Sequence, residues 1–265
     1  MQWNPVQYER FRGARERPGQ DLLAAIPAIR PHRVTDLGCG TGYLTRHLAT
    51  RFPDAVITGL DSDPAMLAKA GATASPILWE QGDIARWSPD QPQDLIFSNA
   101  ALHWLPNHAS LFDRLMRHLT PGGVLAVQMP DNFGAPSHQL LQETLEDGPW
   151  SATLRDLTGQ GAVLTPADYW RVLAADTDRV DIWRTDYLHA LNGPDPVLEW
   201  VSGTALLPIM AQLPADQAAS FRNAYAQRLR TAYPSEADGR TLFPFRRLFI
   251  IAQIGDTAGN RQKGG

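Results

Sequence analysis

Three aspartates, Asp36, Asp61 and Asp83, stand at or just past the ends of three strand-like runs, and beside the first stand three glycines at alternate positions, Gly38, Gly40 and Gly42. A carboxylate at the end of a strand can accept hydrogen bonds from paired hydroxyls or from an amine. Glycines at that spacing let the backbone turn sharply, take positive φ and approach a ligand more closely than a Cβ permits. The residues after Gly42 read as helix, so a ligand resting on the loop also meets the unpaired N–H groups of a helix start. The stretch from Val34 to Gly42 is thus a strand, a tight loop and a helix start, and the rest of the chain is arranged about it.

Several chemistries compete for this loop. A nicotinamide-dinucleotide site would have its third glycine at position 43, where Tyr43 stands. A phosphate-binding P-loop requires Gly-Lys-Ser/Thr, which is absent. The pattern Asp-x-Gly-x-Gly-x-Gly, in contrast, fits position by position the loop that binds S-adenosylmethionine. An ordinary glycine-rich turn is the bland alternative. Cys39, between two of the glycines, reads as a small side chain that fits rather than as a nucleophile.

The elements that must position these residues alternate. Helix is predicted from Pro18 to about Ala28, with Leu22, Leu23 and Ile26 on one face. Arg10 and Arg17 flank aromatics and this helix start, and either could face a pocket. A second strand, 55–61, ends in Asp61, where an acid suits ribose hydroxyls in S-adenosylmethionine and NAD alike. Asp63 is a predicted N-cap with Pro64 at the first helical position, and Met66 follows in the first turn. A third strand, 77–84, brings Asp83 and Ile84, an acid and an apolar neighbour suited to the amine and one face of an adenine; a plain turn cap is the other reading of Asp83. A fourth strand leads from Asp94 to Asn99 and Ala100, followed by His103 and Trp104. Leu111, Leu115 and Leu119 predict a helix from Pro106 onward, and 124–129 a fifth strand. Such alternation predicts an α/β fold with a doubly wound, mostly parallel sheet and ligands beyond the carboxyl ends of its strands. Beyond Met129 the pattern changes to two mostly helical insertions, 132–175 and 193–233, around a strand-like 179–187, with a last strand at 245–252. The expectation is one domain, 1–255, whose insertions form a substrate cover, followed by a flexible tail at 256–265.

Composition narrows the class. At 265 residues, 43% hydrophobic and 20% charged, the chain can bury a full core. A net charge of −4 gives no reason to expect nucleic acid or an anionic membrane as partner, and no apolar run reaches the roughly 20 residues of a membrane span. The N-terminus does not read as a signal peptide. A single cysteine suits a reducing cytoplasm. The oligomeric state is left open, a monomer included.

The chain resembles the class I S-adenosylmethionine-dependent methyltransferases through Asp36, Gly38, Gly40, Asp61 and Asp83. More narrowly, it resembles the bacterial trans-aconitate 2-methyltransferases. The segments that carry the narrower likeness are Trp3 to Pro5 with Tyr8 and Phe11, Thr58 to Ser62 with Pro64 to Met66, Asp94 to Pro106, Gly123 to Asn132, Ile182 to Thr185, and Arg247 to Ile250. The likeness covers nearly the whole chain. Two departures are His103, where the family often has glutamine, and an unmatched stretch at about 146–165. The resemblance implies carboxyl O-methylation of trans-aconitate, with S-adenosyl-L-homocysteine as product. It implies a cofactor site of Asp36, Gly38, Cys39, Gly40, Asp61, Ser62, Met66, Asp83, Ile84, Asn99, Ala100 and Trp104. Neither metal nor covalent nucleophile is needed, because a carboxylate is already ionised near neutral pH. A substrate with three carboxylates calls for the planar fork of arginine, and the chain has only two lysines, Lys69 and Lys263. The candidates are Arg184 and Arg247, then Arg17 and Arg10, with Tyr187 and His103 as lining residues. Still open are an NAD-dependent oxidoreductase, a non-catalytic cofactor-binding regulator, and a methyltransferase for another acid or a phenol.

Overall fold

The computed structural model describes residues 12–155, 163–175, 177–203 and 205–255. Seven strands form one sheet: β1 (Arg33–Leu37), β2 (Val56–Asp61), β3 (Leu78–Gln81), β4 (Gln93–Asn99), β5 (Leu119–Pro130), β6 (Arg179–Leu191) and β7 (Thr241–Gln253), in the order β3-β2-β1-β4-β5-β7-β6. Pairing is parallel from β3 across to β5, and β7 runs antiparallel to β5. The chain steps outward from β1 to β3 and then crosses to β4, so the strand order reverses between β1 and β4. A crevice opens at the carboxyl ends of strands where such a reversal occurs.

Two compact units are distinguished. Among the described residues, the first comprises 17–130, 163–185 and 247–255, the second 12–16, 131–155 and 186–246. β6 and β7 run from one into the other. One face of the sheet in the first unit is covered by α4 (His108–Arg117) and α6 (Pro166–Leu173), through Ile96, Leu125, Val127, Leu248 and Ile250 against Phe112, Leu115, Tyr169 and Leu173. The second unit contains α5 (Pro136–Glu146), α7 (Pro196–Ser202), α8 (Leu207–Met210) and α9 (Ala215–Ala232). Its core is aromatic, with Trp150, Trp200, Phe221, Tyr225 and Phe243. The hydroxyl of Tyr225 donates to the carbonyl of Ser137 at 2.8 Å, and that of Tyr233 accepts the Ser137 N–H at 3.0 Å.

Some boundaries differ from the sequence expectation. α1 spans Arg12–Ala25 and runs through Pro18, whose buried ring forgoes one helical hydrogen bond. α4 begins at His108, after Asn107 in the left-handed region, and Leu119 belongs to β5 rather than to the helix. The segment 163–175, expected in the helical insertion, groups with the sheet through Tyr169 and Leu173. Among the described residues, no helix is long and apolar enough to cross a membrane.

Candidate functional site

The loop after β1 takes the conformation that only glycine adopts cheaply. Gly38, Gly40 and Gly42 have φ of 76°, 55° and 75°. A Cβ on Gly38 would fall 2.3 Å from that of Ala101, and one on Gly42 2.3 Å from the indole of Trp79. A Cβ on Gly40 would meet nothing within 4 Å, so the loop is open at its middle glycine. Trp79 also lies against Gly59, and the Arg46 guanidinium stands over its ring, 5.6 Å from the centroid, while donating to the carbonyls of Thr41 and Ala70. The loop is therefore clamped from β3 and from α2 (Tyr43–Arg51).

Asp61, at the end of β2, accepts the N–H of Gly40 at 2.8 Å and that of Asp63 at 2.9 Å. Each carboxylate oxygen keeps capacity for a further donor. Asp63 caps α3 (Pro64–Gly71) by accepting the Ala65 N–H, with Pro64 at the first position, as its sequence predicts. Ser62 is exposed at this turn and Met66 half-buried in the first helical turn.

Asp83 accepts the N–H of Ala85 at 2.8 Å and is exposed. Ile84 lies beside the glycine loop, its Cδ1 3.6 Å from the Cβ position of Gly38. Arg114 of α4 anchors this segment by donating to the carbonyls of Ile84 and Trp87 at 2.9 and 2.5 Å. Asp36 is 2% exposed and accepts the Thr45 hydroxyl at 2.6 Å. Burial raises its pKa to about 7; the Thr45 hydrogen bond opposes that and the charge of Asp61 adds to it. Burial also raises the pKa of the Cys39 thiol, so it stays a neutral small side chain.

The pairing register puts a second set of polar groups on the face that carries Asp36. Asp36 pairs with Phe97, Asn99 two residues on pairs with Gln128, and Gln128 pairs with Phe249, two residues from Arg247. Paired residues share a face and so do i and i+2, so Asp36, Asn99, Gln128 and Arg247 line one face across β1, β4, β5 and β7. They span three strand spacings, about 14 Å. Arg247 is 8% exposed and Gln128 1%. Asn99 Oδ1, both side-chain amide atoms of Gln128, and His103 Nδ1 are buried with no hydrogen-bond partner among the described residues. Gly19 of α1 abuts this face, since a Cβ there would come 3.2 Å from Asn99 Oδ1. Ala100, just past β4, has φ of 53° and donates its N–H to the Gln128 carbonyl at 2.9 Å. A non-glycine residue in that conformation is strained, a feature that clusters at functional sites.

His103 occupies the short 3₁₀ turn Leu102–Trp104. Burial and then the nearby charges of Arg247 and His108 lower its pKa to about 3, so it is neutral at physiological pH. His108 steadies the turn, one ring nitrogen 3.1 Å from the Leu102 carbonyl and the other against the Tyr169 hydroxyl. Trp104 packs beside His103, ring centroids 4.7 Å apart, and is exposed.

Not every candidate joins this face. Trp183 stacks on Phe249 at 4.8 Å with planes 9° apart, so it shares the face of Phe249 and Arg247. Arg184, the next residue along β6, therefore points to the opposite face, where it is exposed. Arg17 is exposed on α1 and forms an ion pair with Asp21 at 3.8 Å. Tyr187, four residues beyond Trp183 on β6 and so of the same parity, is buried and groups with the second unit. Arg10, together with Trp3, lies outside the described residues, as does the tail expected at 256–265. Gln128, Gly19, Trp79, Arg46 and Arg114 were not singled out by sequence. The signal for Gln128 was available, a polar residue inside an otherwise apolar strand.

The residues present fit S-adenosylmethionine. An open glycine loop, an acid at the end of β2 with spare acceptor capacity, an acid and an isoleucine after β3, and a buried acid near an amide oxygen without a partner among the described residues match a ribose, an adenine and a cationic amino-acid end. At the other end, one buried guanidinium suits an anion.

Comparison with known proteins agrees. A methyltransferase-domain family model matches residues 34–123. A trans-aconitate 2-methyltransferase of Methylobacterium nodulans is 47% identical over 95% of this chain and 98% of its own. One of Variovorax paradoxus is 44% identical over 96% and 98%, and one of Mycobacterium tuberculosis 43% identical over 99% and 100%. Among solved structures, the YcgJ protein of Bacillus subtilis superposes with a TM-score of 0.58 at 16% identity, covering 91% of this chain and 98% of that one. A methyltransferase of Mesorhizobium loti gives 0.50 at 21% identity, covering 92% and 99%. These two show the doubly wound fold. With relatives of such identity along nearly their full length, the chain belongs to the trans-aconitate 2-methyltransferase family of class I S-adenosylmethionine-dependent methyltransferases.

Proposed function

We propose that this protein transfers a methyl group from S-adenosylmethionine to one carboxylate of trans-aconitate, giving the monomethyl ester and S-adenosylhomocysteine. The observation that carries the reading is the polarity of one sheet face. A buried carboxylate, Asp36, stands at one end and a buried guanidinium, Arg247, at the other, with the uncharged amides of Asn99 and Gln128 between them. A cationic donor and an anionic acceptor are each met by the opposite charge and brought side by side.

The cofactor, when bound, supplies an electrophilic methyl on a sulfonium. In this reading Asp61 accepts the ribose hydroxyls, with Ser62 and Met66 at the same turn. Asp83 takes the adenine amine and Ile84 one adenine face. Gly38, Cys39 and Gly40 present backbone to the amino-acid end, while Asp36, Asn99 and Ala100 meet its charge, and Trp104 borders the mouth. Arg247 grips a substrate carboxylate through its planar fork. His103, neutral beside it, lines the pocket and is too weak a base to deprotonate a phenol, which favours an acceptor already ionised. Alignment of two bound reactants can remove roughly 7–11 kcal/mol of barrier, so no metal or covalent step is called on. Such a reaction suits a reducing cytoplasm, where one buried, neutral thiol stays inert.

The test is incubation of the purified protein with methyl-labelled S-adenosylmethionine and a panel of small mono-, di- and tricarboxylates. Base-labile label appearing in the trans-aconitate monoester is expected. No esterification of any acid, or tight NADH binding without S-adenosylmethionine binding, would end the reading.

A further inference from the structure

We propose that Gln128 is the specificity-determining residue for the acceptor: its carboxamide N–H holds the carboxylate that is methylated, while Arg247 holds another. The inference rests on the methyltransferase reading above. Gln128 interrupts a run of buried apolar residues in β5, from Val124 to Met129, and is itself 1% exposed. Both its amide atoms are buried without a hydrogen-bond partner among the described residues. A polar group kept in that state within a core strand is destabilising unless a ligand completes it.

Its neighbours say which ligand. Directly opposite on β4 is Asn99, whose buried Oδ1 also has no partner among the described residues. Diagonally across on β7 is Arg247, a placement within reach of long side chains on one face. Gln128 thus stands between the acid end and the guanidinium end of the face. The division of labour follows from carboxylate chemistry. A guanidinium fork engages both oxygens of a carboxylate, taking one lone pair from each and lowering the nucleophilicity of both. A neutral N–H binds one oxygen and leaves the other to form the new C–O bond. A polycarboxylate can satisfy both groups at once; a monocarboxylate satisfies one.

The experiment uses two variants of the full chain. Gln128→Met keeps length and bulk but removes the donor; Gln128→Glu keeps shape and adds a repelling charge. Wild type is first run on the carboxylate panel. Turnover of an acid other than trans-aconitate corrects the substrate named above and leaves the Gln128 test to be read on that acid; turnover of none overturns both. For the acid that turns over, Gln128→Met should lower kcat/KM about 100-fold and Gln128→Glu more. S-adenosylmethionine affinity by calorimetry should stay within twofold and the unfolding midpoint should not fall. Acid binding to the S-adenosylhomocysteine-loaded protein should weaken less than kcat/KM falls, and the ester produced by Gln128→Met should be a mixture of regioisomers by NMR. The proposal is overturned if Gln128→Met retains kcat/KM within threefold, if cofactor affinity falls in parallel, or if a single regioisomer persists. Should Gln128→Met fail to fold, Gln128→Glu decides by the same readings.

Discussion

The two ends of the polar face are built on opposite principles. Toward β1, β2 and β3 the three acids are already held by the protein: Asp36 by the Thr45 hydroxyl, Asp61 by two backbone N–H groups, Asp83 by the Ala85 N–H. At the other end, the Gln128 amide and His103 Nδ1 have no hydrogen-bond partner among the described residues. The first end is pre-organised by its own backbone and needs no ligand to fix its shape. The second carries desolvated polar atoms whose cost a matching ligand removes, and a non-matching ligand leaves in place. Affinity for a common cofactor suits the former; selection of one acid suits the latter.

The largest effect expected from this contrast is at the loop. Gly38→Val forces a β-branched residue to φ of 76° with its Cβ inside the Ala101 methyl. Left-handed strain of about 1–2 kcal/mol and overpacking of about 1–3 kcal/mol should together lower stability by about 2–5 kcal/mol in urea unfolding. Gly40→Ala, with nothing within 4 Å of its Cβ, should cost about 1 kcal/mol yet weaken S-adenosylmethionine binding at least tenfold. Equal stability losses for the two would deny that the loop opens at Gly40.

At the other end, Arg247→Met should raise KM for the acid about 100-fold, as loss of charge-assisted hydrogen bonds worth about 1.5–3 kcal/mol requires, with cofactor affinity retained. If calorimetry found the cofactor weakened and the acid unaffected, the ends would be assigned the wrong way round.

A smaller, pH-dependent effect comes from Asp36. Its folded pKa of about 7 lies above the usual carboxylate value, so its protonated form favours folding. That contribution is full below about pH 3.8 and is lost as pH rises to about 7. Asp36→Asn should therefore stabilise the cofactor-free protein at pH 8 and change little at pH 4. A cationic ligand prefers the ionised acid, so S-adenosylmethionine affinity should fall about tenfold from pH 8 to pH 6. A flat profile across that range would separate Asp36 from the cofactor.

The difference between the ends also governs what could be read from the chain alone. The glycine loop, Asp61 and the Asp63–Pro64 cap are local: spacing and residue type determine the turn, and the structure forms it where the spacing says. The doubly wound, mostly parallel sheet follows from the βα alternation, while the place of β7 between β5 and β6 does not. The face on which Arg184 and Arg247 point does not, because it depends on how β6 registers against β7, and a one-residue shift reverses every side chain. Whether Gln128 finds a partner is equally non-local, since its possible partners lie on β4 and β7. Pro18 read as a helix start because proline suits a first turn, but tertiary burial of its ring outweighed that preference.

The smallest predicted effect tests that register directly. Arg184 and Arg247 are both arginines on neighbouring terminal strands of the sheet, and charge alone would give them equal claims on the acid. The Trp183–Phe249 stack fixes the parity: Trp183 shares a face with Arg247, so Arg184 takes the other, where it is exposed. An exposed arginine contributes little to a site on the opposite face once solvent screens it. Arg184→Ala should change KM for the acid less than twofold while Arg247→Met changes it about 100-fold, a gap of about 2–3 kcal/mol. Comparable losses in the two variants would mean that β6 pairs with β7 one residue out of the register inferred from the stacked rings, and would return Arg184 to the acid-binding face.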